Sequence, residues 1–127
     1  MRSTELGPEY EELAHQLVDV FDGTSDGLFL YAELQPGVIS TSLFRDEGER
    51  VIFREPPDEM DELLLSIWEK LDDDDRWHNI RCSILKGRFT ARFVFPDEID
   101  PKEHVIERRP RVLKEFFGDK PVVYPQF

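Results

Sequence analysis

Four consecutive carboxylates, Asp72-Asp73-Asp74-Asp75, are the residues of this chain whose type and spacing come nearest to chemistry. Oxygen donors of that kind suit a hard divalent cation such as calcium or magnesium. The spaced ligands, glycine and closing glutamate of an EF-hand loop are missing, and adjacent acids cannot all point at one ion. The run is therefore expected to be a solvated loop or a partner-facing patch. His15, His78 and His104 fall in separate elements without zinc-motif spacing, which leaves them surface or capping roles. No serine sits in a nucleophile elbow, and no glycine-rich loop precedes a helix. The expectation is a protein that is not an enzyme, with no catalytic residues, no cofactor and no metal. A metal-dependent enzyme using the scattered acids is a third option, behind two binding roles.

The arginines of residues 79–95 form the second set. This stretch reads as a hairpin, with residues 80–85 and 88–95 as strands about a Lys86-Gly87 turn. Phe89, Ala91, Phe93 and Phe95 alternate with Arg88, Thr90, Arg92 and Val94, the pattern of a strand with one buried face. A two-residue turn then pairs Ile84 with Phe89, Cys82 with Ala91 and Ile80 with Phe93 on the inner side. On the outer side it sets Arg81 directly across from Arg92. Like charges so placed repel by up to about 1 kcal/mol. An acid is expected between them, either Glu33 as an internal counter-ion or the carboxylate or phosphate of a ligand.

Other elements must position these groups. Residues 8–21 read as a helix with Leu13, Leu17 and Phe21 on its apolar side. Residues 28–34, 38–45 and 50–54 read as strands joined by short turns, an antiparallel meander. Residues 58–71 form the best helix, with Met60, Leu63, Leu64, Ile67, Trp68 and Leu71 in one stripe and Asp58, Asp61, Glu62 and Glu69 outside. The aspartate run then sits at the negative end of that helix, an unfavourable place for acids. Asp100-Pro101-Lys102-Glu103 has the form of a capping box opening a last helix. Pro110 would kink or restart that helix, Val112, Leu113, Phe116 and Phe117 form its apolar face, and Gly118 stops it. Residues 121–125 are expected to be extended. The order is α-β-β-β-α-β-β-α. It predicts a two-layer α+β fold, an antiparallel sheet of about five strands covered on one face by helices. The other face would carry Tyr31, Glu33, Arg81 and Arg92, partly exposed.

The length of 127 residues suits one α+β domain with its core in residues 9–118 and an extended tail. Net charge is −12 and unevenly placed. Residues 1–26 hold seven acids and one base, residues 55–75 ten acids and one base, and residues 76–95 five bases and no acid. A broad basic surface for nucleic acid is excluded by that distribution, whereas a basic protein partner suits it. Cys82 alone cannot make an internal disulfide and reads as a buried hydrophobe in a reducing compartment. No apolar run reaches membrane-spanning length, and residues 1–7 lack a leader's apolar stretch, so the expected location is the cytoplasm.

Several of these residues together resemble the YezG-type family of bacterial antitoxin and immunity proteins. The resemblance is carried by Tyr31-Ala32-Glu33, Trp77 before a strand, Gly87-Arg88-Phe89, Phe93-Val94-Phe95-Pro96-Asp97-Glu98, and a charged helix closing on Phe117-Gly118. It covers residues 9–118. It implies an immunity protein without chemistry of its own that binds and neutralises a cognate toxin domain, often a nuclease, with a basic surface. The expected contact is Asp58, Asp61, Glu62, Glu69, Asp72, Asp73, Asp74 and Asp75. The alternative is the sheet-face patch Tyr31, Glu33, Arg81 and Arg92. The runner-up function is a small-ligand-binding or regulatory module without catalysis.

Overall fold

The structure is a computed structural model that describes residues 7–124. The expectations for the stretch before Gly7 and for Pro125 lie outside the described residues. In chain order the elements are α1 (Pro8–Val20), β1 (Leu28–Gln35), β2 (Val38–Asp46), β3 (Val51–Arg54), α2 (Asp58–Glu69), β4 (Asn79–Leu85), β5 (Arg88–Val94), α3 (Val105–Phe117) and β6 (Val122–Val123). The strands make one six-stranded sheet in the order β5-β4-β1-β2-β3-β6. All neighbours are antiparallel except β3 and β6, which are parallel. The α+β class and the expected element order hold. The extended tail supplies the sixth strand.

The hairpin has the register that its alternation demands: Ile84 opposite Phe89, Cys82 opposite Ala91, Ile80 opposite Phe93, and Arg81 opposite Arg92. Its turn has both central residues at positive φ, Lys86 at 52° and Gly87 at 76°. That is the twist a two-residue hairpin needs, and glycine meets it without strain. The turn is held from outside, since the Asp26 carboxylate and the Ser25 carbonyl accept from the Lys86 and Gly87 amides at 2.8 and 2.7 Å.

Alternation along β1 explains the layers. Leu28, Leu30, Ala32 and Leu34 point to one face, where Leu13, Leu17 and Phe21 at α1 and Met60, Leu64 and Trp68 of α2 bury them. Trp77 joins this core, and the Trp68 indole donates to its carbonyl at 2.8 Å. Phe29 and Tyr31 point the other way, with Phe44, Val51 and Phe53 of the neighbouring strands. These aromatic and branched residues make a second apolar face, and α3 covers it with Val112, Leu113 and Phe117. The sheet is therefore sandwiched between helices, not covered on one face only. Both sides of β1 are buried, which the expected two layers did not provide for.

α3 also starts later than the apparent capping box. The Asp100 carboxylate accepts from the Lys102 amide at 2.9 Å in a local turn, and His104 caps the helix, its Nδ1 accepting from the Ile106 amide at 3.3 Å. Glu103 is drawn instead to Arg108 and Arg111. Pro110 lies inside the helix at an exposed position, and the chain stays helical around it because Val112, Leu113 and Phe117 anchor the following turns.

Candidate functional site

Two charged surfaces lie on opposite faces of the sheet. On the first, α1 and α2 pack side by side and are bridged by Lys70 Nζ to Glu9 Oε1 at 3.3 Å. Because their apolar stripes face the sheet, their acids face water and join into one surface. Glu11, Glu12 and Asp19 of α1 are exposed there beside Asp58, Glu62 and Glu69 of α2. The contribution of α1 was not anticipated, although its acids and apolar stripe show the same spacing as those of α2.

The aspartate run continues this surface. Asp72 leads into a single 3-10 turn over Asp73–Asp75, and the Asp73 side chain is 97% exposed. Of the eight acids expected at a partner contact, Asp58, Glu62, Glu69, Asp72, Asp73 and Asp74 are exposed, while Asp61 and Asp75 are half-buried. Asp61 leans toward Thr41 of β2; burial raises its pKa above the usual carboxylate value, with the Thr41 hydroxyl acting in the opposite sense. With Asp75 it is one of the two less available members of the patch.

Arg76 resolves the conflict at the end of α2. It folds back so that Nε and Nη2 donate to the Trp68 and Glu69 carbonyls at 3.3 and 3.1 Å, with its guanidinium 4.6 Å from the centre of the Trp68 ring. A cation thus satisfies the helix terminus that the acids alone would destabilise. Its sequence signal was plain in retrospect, a lone base directly after the acid run. Among the described residues, no three His, Cys, Asp or Glu side chains gather as a metal-binding group. No helix there is long and apolar enough to cross a membrane.

On the second surface, α3 occupies the face expected to be open, and Tyr31 is only 2% exposed. Tyr31 and Glu33 border one crevice, near the start of α3, while Arg81 and Arg92 border another. The alternative patch is therefore not one exposed surface. Nor does Glu33 lie between the two arginines. It sits opposite Asn79, a pleat away from Arg81, and its Oε1 accepts from the buried Arg108 at 3.0 Å. Its Oε2 accepts from the Tyr31 hydroxyl at 2.5 Å. The counter-ion of Arg81 is Glu115 of α3, at 3.5 Å.

These groups belong to a chain of alternating charge. From Glu33 it passes to Arg108, then to Glu103 at 3.4 Å, Arg111, Glu115 at 2.7 Å from Arg111, and finally Arg81. The Arg111 bond holds the Glu103 carboxyl below its ordinary pKa, and the same bond raises that of Arg111. Burial, then the bond to Glu33, raises the Tyr31 hydroxyl. Burial lowers His78, with Glu33 opposing and Arg108 reinforcing the shift. Burial likewise lowers Arg81, and Arg92 adds to it. Arg108, Arg111 and Glu115 recur at three- and four-residue steps along α3, the spacing of one helical face. The arrangement clamps α3 to β1 and β4.

No protein-family model matches the chain, and no curated protein matches it significantly. The resemblance to YezG-type proteins thus stands on the residues quoted above.

Proposed function

We propose that this protein acts by binding, and that the acidic layer of α1, α2 and the 73–75 turn docks onto a basic protein and blocks it. A toxin domain is the partner that agrees with the family resemblance, which makes the chain an immunity or antitoxin protein. The observation that carries this reading is the state of the acids. Among the described residues, Glu11, Asp19, Asp58, Glu62, Glu69, Asp72 and Asp74 take part in no ion pair, while Arg76 is spent on capping α2. Such a field accelerates encounter with a basic surface and orients it. A nuclease that grips phosphates offers a surface of that sign, and carboxylates fixed on two packed helices can occupy it in place of nucleic acid. Because the layer rests on a fully buried core, little ordering is required on docking.

The test is co-expression with the protein encoded by the neighbouring reading frame. Wild type should restore growth if that protein is toxic, and a Glu62→Lys, Glu69→Lys, Asp74→Lys variant should fold yet fail to protect. Association measured by stopped flow should slow in the variant and lose its salt dependence. Equal protection and equal on-rates for the two proteins would reject the acidic layer as the contact.

A further inference from the structure

The charge chain on the α3 side ends with one positive charge to spare. Three carboxylates, Glu33, Glu103 and Glu115, alternate with three guanidiniums, Arg108, Arg111 and Arg81. Arg92 then stands directly across from Arg81, exposed, and it pairs with no carboxylate among the described residues. Glu115 pairs with Arg111 and Arg81 and makes no ion pair with Arg92. At this point α3 leaves the hairpin uncovered. A crevice of about 250 Å³ opens there, bounded by Arg81, Arg92, Ser83, Thr90, Glu115 and Phe116. Ser83 and Thr90 are cross-strand neighbours on the same face as the arginines, so two hydroxyls flank two guanidiniums. Phe116 forms part of the opposite wall, stacked on Phe29 with ring centres 4.2 Å apart, and is 36% exposed.

We propose that this crevice binds a small aromatic monocarboxylate, its carboxylate between Arg81 and Arg92 and its ring against Phe116. Of the guanidiniums that line the crevice, Arg92 alone lacks a carboxylate among the described residues, which matches a monoanion. A planar carboxylate accepts in-plane from a guanidinium fork, and serine and threonine hydroxyls can donate to its remaining lone pairs. The volume lies just below the range of drug-sized sites and suits one ring with one short acidic substituent. An aromatic ring also uses the exposed phenylalanine through offset stacking. A phosphate dianion would carry excess charge and leave that wall without a contact. The site lies on the opposite face from the acidic layer, so it stands or falls independently of the partner-binding reading.

The experiment is a titration of the full chain with benzoate, followed by calorimetry and by amide chemical shifts, with benzamide and inorganic phosphate as parallel arms. Benzoate should saturate at millimolar concentration or below, with shifts centred on residues 81–83, 90–92 and 115–116. Arg92→Gln, at an exposed position, should fold normally and weaken benzoate by about tenfold. Glu115→Gln removes the competing carboxylate and should tighten it. Absence of saturable benzoate binding, unchanged affinity in Arg92→Gln, or benzamide or phosphate binding as well as benzoate would each overturn the proposal.

Discussion

The two faces of the sheet hold their helices by different means. α1 and α2 carry long apolar stripes, and Leu13, Leu17, Met60 and Leu64 are wholly buried beneath them. Packing dominates there, and apart from the Glu9–Lys70 bridge and Arg76 at the end of α2 it leaves the outward charges with little structural task. α3 buries three apolar residues against seven for α1 and α2 together, contains Pro110, and brings the buried Arg108 with it. On that side Glu33, Glu103 and Glu115 are consumed in pairing with Arg108, Arg111 and Arg81, because a charge taken out of water must find its opposite. Free charge on one face and matched charge on the other therefore follow from the buried Arg108, which has no counterpart among the buried residues of α1 and α2. The exposed acids are thus available for a partner, and any unmatched charge on the α3 side stands out.

The largest effect is expected where packing carries the load. Leu64→Ala should cost about 3 kcal/mol in denaturant unfolding, since it empties a wholly buried position between helix and sheet. A loss near that of a surface substitution would show that the first face is not held by packing. On the second face, Glu33→Gln should cost about 2 kcal/mol by leaving the buried Arg108 with Glu103 as its one remaining charge partner. Replacing both, as Glu33→Leu with Arg108→Met, should restore much of that loss. If the double variant is no better than the single one, the pair matters for more than charge matching.

How much of this could be read in advance depends on how local each signal is. The hairpin was legible because a period of two and a two-residue turn leave one register that buries Phe89 and Phe93 together. The first face was legible for the same reason, from stripes lying within single helices. Cover for the second face was not. Phe29 and Tyr31 lie between Leu28, Leu30 and Ala32 in β1, and alternation alone does not say that both sides are buried. β6 has two residues, too few for any period. Asp100-Pro101 imitates a helix start because an Asx turn and an N-cap use the same side-chain oxygen. The counter-ion of Arg81 comes from α3, distant in sequence, where no local pattern points to it. For the acidic layer, exposure was legible, but the partial burial of Asp61 depends on how α2 packs on the sheet.

Smaller effects sharpen the contrast. Glu62→Lys, Glu69→Lys and Asp74→Lys should each move stability by no more than about 0.5 kcal/mol, because none has an ion pair to lose among the described residues. A large destabilisation in any of them would mean that the outer face has a structural task after all.

The smallest effect concerns His78, beside the Glu33–Arg108 end of the charge chain. Burial depresses its folded-state pKa below the ordinary 6.5, as does Arg108, with Glu33 opposing. The unfolded chain therefore binds a proton more readily than the folded one. Stability from this group is complete above the unfolded value and is lost as pH falls through the folded one. Glu103, also depressed, loses its contribution only at lower pH, in the carboxylate range. Urea midpoints measured from pH 8 down to pH 5.5 should consequently fall for wild type and fall less for His78→Gln. Parallel curves would mean that the imidazole is as well solvated in the fold as in the unfolded chain. A steeper fall in the Glu33→Gln background would agree with the carboxylate being what moderates the shift, since only Arg108 and burial would then act on the ring.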